Sequence, residues 1–372
     1  MRPAEPPVDP PAGPAAGPST GRPDEHPAGG PAQPDPFAAL ARPAEPEPGA
    51  APPHPGVSPR VVQDTAGGES TLTVVIAFVA NAVVAAAKTA AAVITGSASM
   101  LAEAVHSWAD TGNEIFLLVA DRRSRRPADH LHPLGFGREA YVWSMFAAIG
   151  LFAVGAGVSI THGIQELVHP EPASDYGVAY AVLGVAFVLE GVSFLQASRQ
   201  ARAEAKKAEH DVLHHVLVTS DPTLRAVFAE DAAALVGLVV AFAGVLAHQL
   251  TGSPVPDALG SIVVGVVLAV VSLVLVDRNR RFLVGEAARP ETRAAVLAHL
   301  VTMPQVERVT YLRLEYVGPR SLYLVASVDL SGNEPESNVA RRLDDLERAA
   351  TRVPVIAGAV FTVSTPEEPS LV

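Results

Sequence analysis

Cysteine is absent from this chain of 372 residues, and charged residues make up only 18% of it. The first absence excludes disulfide frameworks, thiolate metal clusters and cysteine nucleophiles. The second argues against an ordinary soluble protein, in which about a quarter of the residues are charged. Basic residues are outnumbered by acidic ones, and the formal net charge of −12 argues against a nucleic-acid partner, which normally requires a basic surface.

Long apolar stretches dominate the middle of the chain. Six of them follow one another, at 71–95, 97–120, 141–165, 177–197, 226–250 and 257–276. Each has about the 20 residues that a helix needs to cross the roughly 30 Å hydrocarbon core of a bilayer. We therefore predict six transmembrane helices embedded in lipid, with the first two forming a hairpin around Gly96.

Lys and Arg residues lie in alternate loops between these stretches. The segments after the second, fourth and sixth stretches are basic, whereas the short loops 166–176 and 251–256 contain neither residue type. Because basic loops stay on the cytoplasmic side, this alternation predicts an even number of spans and two cytoplasmic termini. The Ala/Pro-rich composition is typical of a high-GC bacterium, so we expect a multi-pass protein of the bacterial cytoplasmic membrane.

Two regions of different composition flank the predicted membrane domain at 69–286. Residues 1–68 are rich in Pro and Ala and have no apolar run that could form a core, which predicts a disordered tail. Residues 287–372 show helical spacing at 293–302 and 338–350, and strand-like alternation at 308–316, 321–330 and 357–363. The order α-β-β-α-β predicts a small two-layer α+β domain on the cytoplasmic side.

Ionisable side chains within the apolar stretches are candidate functional residues, since they are costly inside a membrane. His106 and Asp110 are four positions apart in the second stretch, so they share a helix face, and Glu103 and Asn113 extend it. An imidazole nitrogen beside a carboxylate oxygen suits Zn²⁺ or a similar first-row cation. The alternative is a buried His–Asp hydrogen bond that only joins helices.

Acidic and basic residues also occur in other stretches. Glu230 and Asp231 are about 100° apart on a helix, so we expect only one of them to face a shared site. The alternative is a helix-start carboxylate favoured by the helix dipole. Lys88 and Glu190 could form an ion pair between the first and fourth stretches, which would reduce the cost of burying both charges.

Three segments together resemble the cation diffusion facilitator family of transporters. Residues 96–110, GSASMLAEAVHSWAD, resemble its second span, and residues 132–139, HPLGFGRE, resemble the loop motif that follows. Residues 221–235 resemble the start of span five in the zinc transporter 9 branch. The resemblance implies an all-α six-helix transmembrane bundle with a C-terminal ferredoxin-like α+β cytoplasmic domain. It also implies a homodimer that exports a divalent cation, most simply zinc, in exchange for protons, without a prosthetic group.

The resemblance also implies a set of metal ligands. The family takes two ligands from span two and two from span five, each pair four positions apart. His106 and Asp110 match the first pair and Asp231 matches one member of the second, but the other member falls on Val227, which cannot bind a metal. Glu230 or water would have to complete the shell. A histidine ligand favours zinc over manganese, which prefers oxygen.

Sites outside the bundle are less complete. Asp129 and His132 match two ligands of a loop site, but Phe136 takes the place of a third, and a turn with a helix cap is the alternative. Four residues before span five could collect metal or belong to a solvated amphipathic helix: His210, Asp211, His214 and His215. The C-terminal domain has a single histidine, His299, so we expect it to support dimerisation rather than zinc sensing.

Two other function classes stay open at this point. A degenerate family member could act as a metal sensor or scaffold, because one ligand position is lost. A metal-dependent membrane enzyme would need a general base and an open metal position, and the sequence has no recognisable hydrolase motif. We therefore expect a transporter and not an enzyme.

Overall fold

The protein is described here by a computed structural model, which covers residues 71–170, 175–207 and 211–371. The predicted disordered tail lies outside these residues. The helices before the sheet are α1 Thr71–Thr95, α2 Ala98–Ser124, α3 Glu139–Gly150, α4 Gly157–Val168, α5 Tyr176–Lys207, α6 Val212–Val218, α7 Pro222–Thr251 and α8 Val255–Val284. A π-helical segment, Leu151–Ala156, joins α3 to α4 in one continuous helical rod.

Five helical segments in the described residues are long and apolar enough to cross a membrane. They are Phe78–Thr95, Glu139–Val168, Tyr176–Lys206, Pro222–Thr251 and Val255–Val284. The protein is therefore an integral membrane protein that is mostly helical. Helix α2 has the necessary length but is more polar than the others, since it buries a stripe of polar side chains that includes Glu103 and His106. That α2 also crosses the membrane stays a prediction.

The start of α2 is fixed by a carboxylate from α8. Ser97 caps the helix by accepting a hydrogen bond from the backbone N–H of Met100. Asp257, only 1% exposed, accepts hydrogen bonds from the Ser97 hydroxyl at 2.9 Å and from the backbone N–H groups of Ala98 and Ser99 at 2.9 and 3.3 Å. These N–H groups have no partner within the helix, so Asp257 satisfies them and holds α8 against α2.

The C-terminal residues form a three-stranded sheet with helices against it. The elements are α9 Pro290–Val301, β1 Val306–Gly318, β2 Ser321–Leu330, α10 Glu336–Ala350 and β3 Ile356–Val363, in the order predicted from the sequence. The central strand β2 pairs antiparallel with β1 and parallel with β3. Its residues alternate between buried and half-buried, and the buried ones pack with Leu297 and Leu346 of the two helices.

This domain packs directly against the ends of the long helices. The backbones of Gly137 and Gly318 meet so closely that a Cβ atom on Gly137 would lie 2.6 Å from the Val317 carbonyl oxygen. Phe282 of α8 stacks on Tyr141 of α3 with ring centroids 4.9 Å apart, and it meets the ring of Tyr316 on β1 edge-on at 5.4 Å. The sheet domain and the helical domain therefore share an aromatic contact.

Candidate metal centre

His106 and Asp110 lie together on the buried face of α2. The His106 ring is 0% exposed, and its Nε2 atom is 3.5 Å from Asp110 Oδ2. Among the described residues, neither ring nitrogen of His106 has a hydrogen-bond partner, and neither does Asp110 Oδ1. Buried polar atoms without partners are costly and uncommon. The alternative to a metal site, a buried hydrogen bond between His106 and Asp110, is thus not formed. Nitrogen and oxygen lone pairs of these two side chains are available to a cation.

Glu230 and Asp231 on α7 contact different neighbours. Glu230 Oε1 accepts a hydrogen bond from the Asn113 side chain on α2. Asp231 Oδ2 accepts one of 2.8 Å from the Ser193 hydroxyl on α5. The expectation that only one of the pair faces a shared site is wrong, because both line one cavity. The cavity spans the gap between α2 and α5, so carboxylates about 100° apart on α7 can both reach it.

This cavity, which we call the acidic cavity, has a volume of about 260 Å³ and is enclosed by α1, α2, α5 and α7. Val227 lines it at the position where the resemblance places the missing ligand. Five carboxylate side chains line it: Asp110, Glu114, Glu190, Glu230 and Asp231. So many acids around one space attract a cation. Within the described residues no three His, Asp or Glu side chains are close enough to hold one ion.

Sequence reasoning missed Glu114 and Glu190 as members of this cavity. Glu114 follows Asp110 by four positions, so the helical spacing that linked His106 to Asp110 could have found it. Its carboxylate accepts a hydrogen bond from the Asn81 side chain of α1. Glu190 lies on α5, a helix for which the resemblance implies no ligand, so only the packing of the helices reveals it.

Lys88 forms a buried ion cluster beside the acidic cavity. Its Nζ atom lies 3.6 Å from Glu190 Oε1, which confirms the predicted pair, and 3.1 Å from Glu103 Oε2. Lys88 and Glu103 are both 0% exposed. The helical spacing places Glu103 on the same stripe of α2 as His106 and Asp110, and in the structure Glu103 is the nearer partner of Lys88. The cost of burying the lysine is thereby offset by two acids.

The loop residues Asp129 and His132 form a turn at the surface. Asp129 Oδ1 accepts hydrogen bonds from the backbone N–H groups of Leu131 at 3.0 Å and His132 at 2.7 Å, and it is 2.9 Å from His132 Nδ1. The hydrogen bond with the His132 side chain lowers the pKa of the Asp129 carboxyl. The His132 ring packs on Phe136 with centroids 4.2 Å apart. These contacts form a turn, and metal binding by Asp129 and His132 stays a prediction.

The histidine-rich segment before α7 is described in part. His210 lies outside the described residues. His215 is buried, with Nε2 at 3.5 Å from Glu204 Oε2 of α5, whereas His214 is exposed. The two neighbouring histidines therefore point into different surroundings.

Comparison with known proteins places these features in a family. The model of the "Cation efflux transmembrane domain" matches residues 74–284, which is more than half of the chain. Metal tolerance protein C4 of Arabidopsis thaliana is 36% identical over 243 residues, covering 65% of this chain and 53% of that protein. The mitochondrial proton-coupled zinc antiporter SLC30A9 of Xenopus laevis is 35% identical over 259 residues, covering 70% and 46%.

A bacterial relative is more distant but matches over more of its own length. The cation-efflux pump FieF of Shigella flexneri is 27% identical over 262 residues, covering 69% of this chain and 80% of that protein. The chain spans about half the length of the plant and animal relatives. Two of these relatives are named as a cation-efflux pump and a zinc antiporter, and the matches confirm the family resemblance found in the sequence.

Proposed function

The chain belongs to the cation efflux family, also called cation diffusion facilitators, and from that premise we propose that it exports zinc across a membrane in exchange for protons. One observation carries the proposal: the acidic cavity lies beside a buried histidine whose ring nitrogens have no hydrogen-bond partner in the described part of the chain. His106, Asp110 and Asp231 are the proposed ligands, with the substrate ion passing between α2 and α7.

Zinc is the proposed substrate because of the chemistry of this donor set. A neutral imidazole nitrogen with carboxylate oxygens is a common zinc combination, whereas a site for manganese or magnesium would be built from oxygen alone. The animal relatives are named as zinc antiporters, which supports the same choice. No prosthetic group is needed, since the ion is the cargo.

Proton exchange follows from the charge in the acidic cavity. Five carboxylates surround it and Lys88 stands beside it with Glu103 as its nearer partner, so full ionisation would leave several uncompensated negative charges inside the membrane. Protons or a divalent cation must compensate them. Carboxylate and imidazole ligands must lose protons to bind metal, so binding of the metal ion releases protons and binding of protons releases the metal ion.

The proposed topology has six crossing helices, with α2 included. Its support is the length of α2 and the hairpin that it forms with α1 around Gly96, where φ is +67°. The basic ends of α2, α5 and α8 and the sheet domain would face the cytoplasm of a bacterium. We place the domain boundary at residues 286 and 287. The C-terminal domain is proposed to be ferredoxin-like and to join two copies in a homodimer.

The test is metal flux in proteoliposomes that contain the full chain and carry an imposed pH gradient. We expect zinc uptake that depends on the gradient, with Mn²⁺, Fe²⁺ and Co²⁺ tested alongside. Asp110→Asn is the matched control, because it keeps the side-chain shape but removes the charge. Zinc binding without gradient-driven flux would instead support a sensor or scaffold and overturn the proposal.

A further inference from the structure

One ligand position of the proposed transport site has no donor, since it falls on Val227. The structure offers a carboxylate from a third helix for that position. We propose that Glu190 of α5 is the fourth ligand of the transported cation, so that the site draws on α2, α5 and α7. This inference rests on the proposed function and adds to it a ligand that the family pattern does not contain.

The packing of α5 against α7 brings Glu190 to the site. Glu190 and Ser193 lie three positions apart on one face of α5. The Ser193 hydroxyl donates a 2.8 Å hydrogen bond to Asp231, and the rings of Phe194 and Phe228 are 5.2 Å apart. Glu190 therefore stands about one helical turn from the residue that touches Asp231, and it lines the acidic cavity with Asp110 and Val227.

Other carboxylates of the acidic cavity are held differently. Glu230 Oε1 accepts a hydrogen bond from the Asn113 side chain and Glu114 Oε1 accepts one from the Asn81 side chain, so an amide fixes one oxygen of each carboxylate. The Asn113 amide is buried, so moving Glu230 away from it would leave a buried polar group without its partner. Glu190 instead contacts the Lys88 ammonium. Both residues have long side chains, so this contact can rearrange.

Lys88 does not need Glu190 once the cation is bound. Its nearer partner is Glu103, at 3.1 Å against 3.6 Å for Glu190, and both members of the nearer pair are fully buried. Lys88 therefore keeps a full counter-charge when Glu190 turns towards the metal. Lys88 has two carboxylate partners, Glu103 and Glu190, but needs only one to balance its charge. Glu190, with 19% of its side chain exposed, is the partner that lines the acidic cavity.

The measurement is zinc binding by the purified full chain, with Zn²⁺ alone as the probe. We expect Glu190→Gln to weaken zinc affinity at least tenfold, which corresponds to about 1.4 kcal/mol. Glu291→Gln is the matched control, because it removes the same charge at an exposed position of α9 outside the acidic cavity, and its affinity should stay close to wild type. The double variant Glu190→Gln/Val227→His should recover affinity, since it supplies a donor at the vacant position.

A spectroscopic readout separates ligation from a merely structural effect. Bound Co²⁺ absorbs visible light in a way that depends on the number and type of its ligands, so Glu190→Gln should change that spectrum and Glu291→Gln should not. If Glu190→Gln does not fold, Glu190→Asp serves instead, because it keeps the charge beside Lys88 but draws the carboxylate back by one methylene. We expect Glu190→Asp to weaken zinc binding as well.

The outcomes that overturn the inference differ from those that overturn the proposed function. Suppose that the wild-type chain binds and transports zinc and that Asp110→Asn does neither. If Glu190→Gln then binds zinc like wild type, Glu190 is not a ligand, and the transport proposal stands. Glu190 is also excluded as a ligand if Val227→His fails to restore the affinity lost in Glu190→Gln. If the wild-type chain itself binds no divalent cation, it is the proposed function that fails.

Discussion

His106 carries the strongest chemical signal in the molecule at the level of single residues. A fully buried imidazole whose two nitrogens find no partner among the described residues would ordinarily be replaced by an apolar side chain, unless something binds to it. Asp110, one turn away, adds a carboxylate that faces the acidic cavity. In the proposed site, these two residues supply half of the metal ligands.

Replacing either residue should therefore stop metal transport. We expect His106→Ala and Asp110→Asn each to abolish zinc flux and to weaken zinc binding more than tenfold, or about 1.4 kcal/mol, because one ligand is lost. Membrane insertion should be unaffected. Flux in proteoliposomes and binding to the purified chain are the measurements, and Val227→Ala, which removes no donor, should behave nearly like wild type. Wild-type flux in a well-folded Asp110→Asn variant would contradict the site.

The candidate residues could be predicted because ionisable side chains are rare in apolar stretches, but their partners could not. No local pattern pairs Glu103 with Lys88, since the two are separated by 15 positions and lie on different helices. Nor does any such pattern reveal that Glu190 joins the acidic cavity. These contacts depend on how the helices rotate against one another, which hydropathy does not report.

Helix existence followed from hydropathy, whereas helix length did not. Helices α5 and α8 continue to Lys207 and Val284, well beyond the apolar stretches that end at 197 and 276, because a helix keeps its hydrogen bonds as it leaves the hydrocarbon. Helix α2 shows the converse. It is 27 residues long, but its polar stripe makes it less apolar than the five helical segments that are apolar enough to cross a membrane.

The cap that Asp257 provides for α2 predicts a loss of stability when it is removed. Asp257→Ala leaves the N–H groups of Ala98 and Ser99 buried without partners, which should cost about 1–3 kcal/mol. Thermal unfolding of the purified protein in detergent measures this loss. Asp277→Asn is the control, because Asp277 lies on the same helix at an exposed position, where it pairs with Arg280. Equal stability of the two variants would show that the cap contributes nothing.

Close helix packing makes a second prediction at this scale. A Cβ atom on Gly237 of α7 would collide with Glu103 Oε1, so Gly237→Ala must displace either α7 or the carboxylate that holds Lys88. We expect a lower melting temperature and weaker zinc binding. Gly184→Ala on α5 meets no atom of the described residues within 4 Å, and it should be neutral or stabilising by up to about 1 kcal/mol, since alanine favours the helix. A stabilised Gly237→Ala variant would contradict this packing.

For the whole molecule, the order of elements was predictable from the sequence but the contact between its two parts was not. The Arg320 backbone N–H donates a 3.0 Å hydrogen bond to the Ser220 hydroxyl, 100 positions away, and the Arg320 side chain donates one of 2.9 Å to Glu204, 116 positions away. Residues so far apart share no local pattern. They nevertheless place the β1–β2 turn against the ends of α5 and α7, the two helices that bring Glu190 and Asp231 to the acidic cavity.

The contact between the two parts should open when the backbones of Gly137 and Gly318 are forced apart. A methyl group on Gly137 would lie 2.6 Å from the Val317 carbonyl oxygen, and backbone cannot give way as a flexible side chain can. We expect Gly137→Ala to raise amide hydrogen exchange at the β1–β2 turn while the buried strand β2 stays protected, because that strand packs mainly with α9 and α10. Gly112→Ala, on α2 with no atom of the described chain within 4 Å, is the control and should leave exchange at the turn unchanged. Unchanged exchange at the turn in Gly137→Ala would mean that other contacts hold the sheet domain against the helical domain. The first of these to test is the packing of the Phe282 ring between Tyr141 and Tyr316.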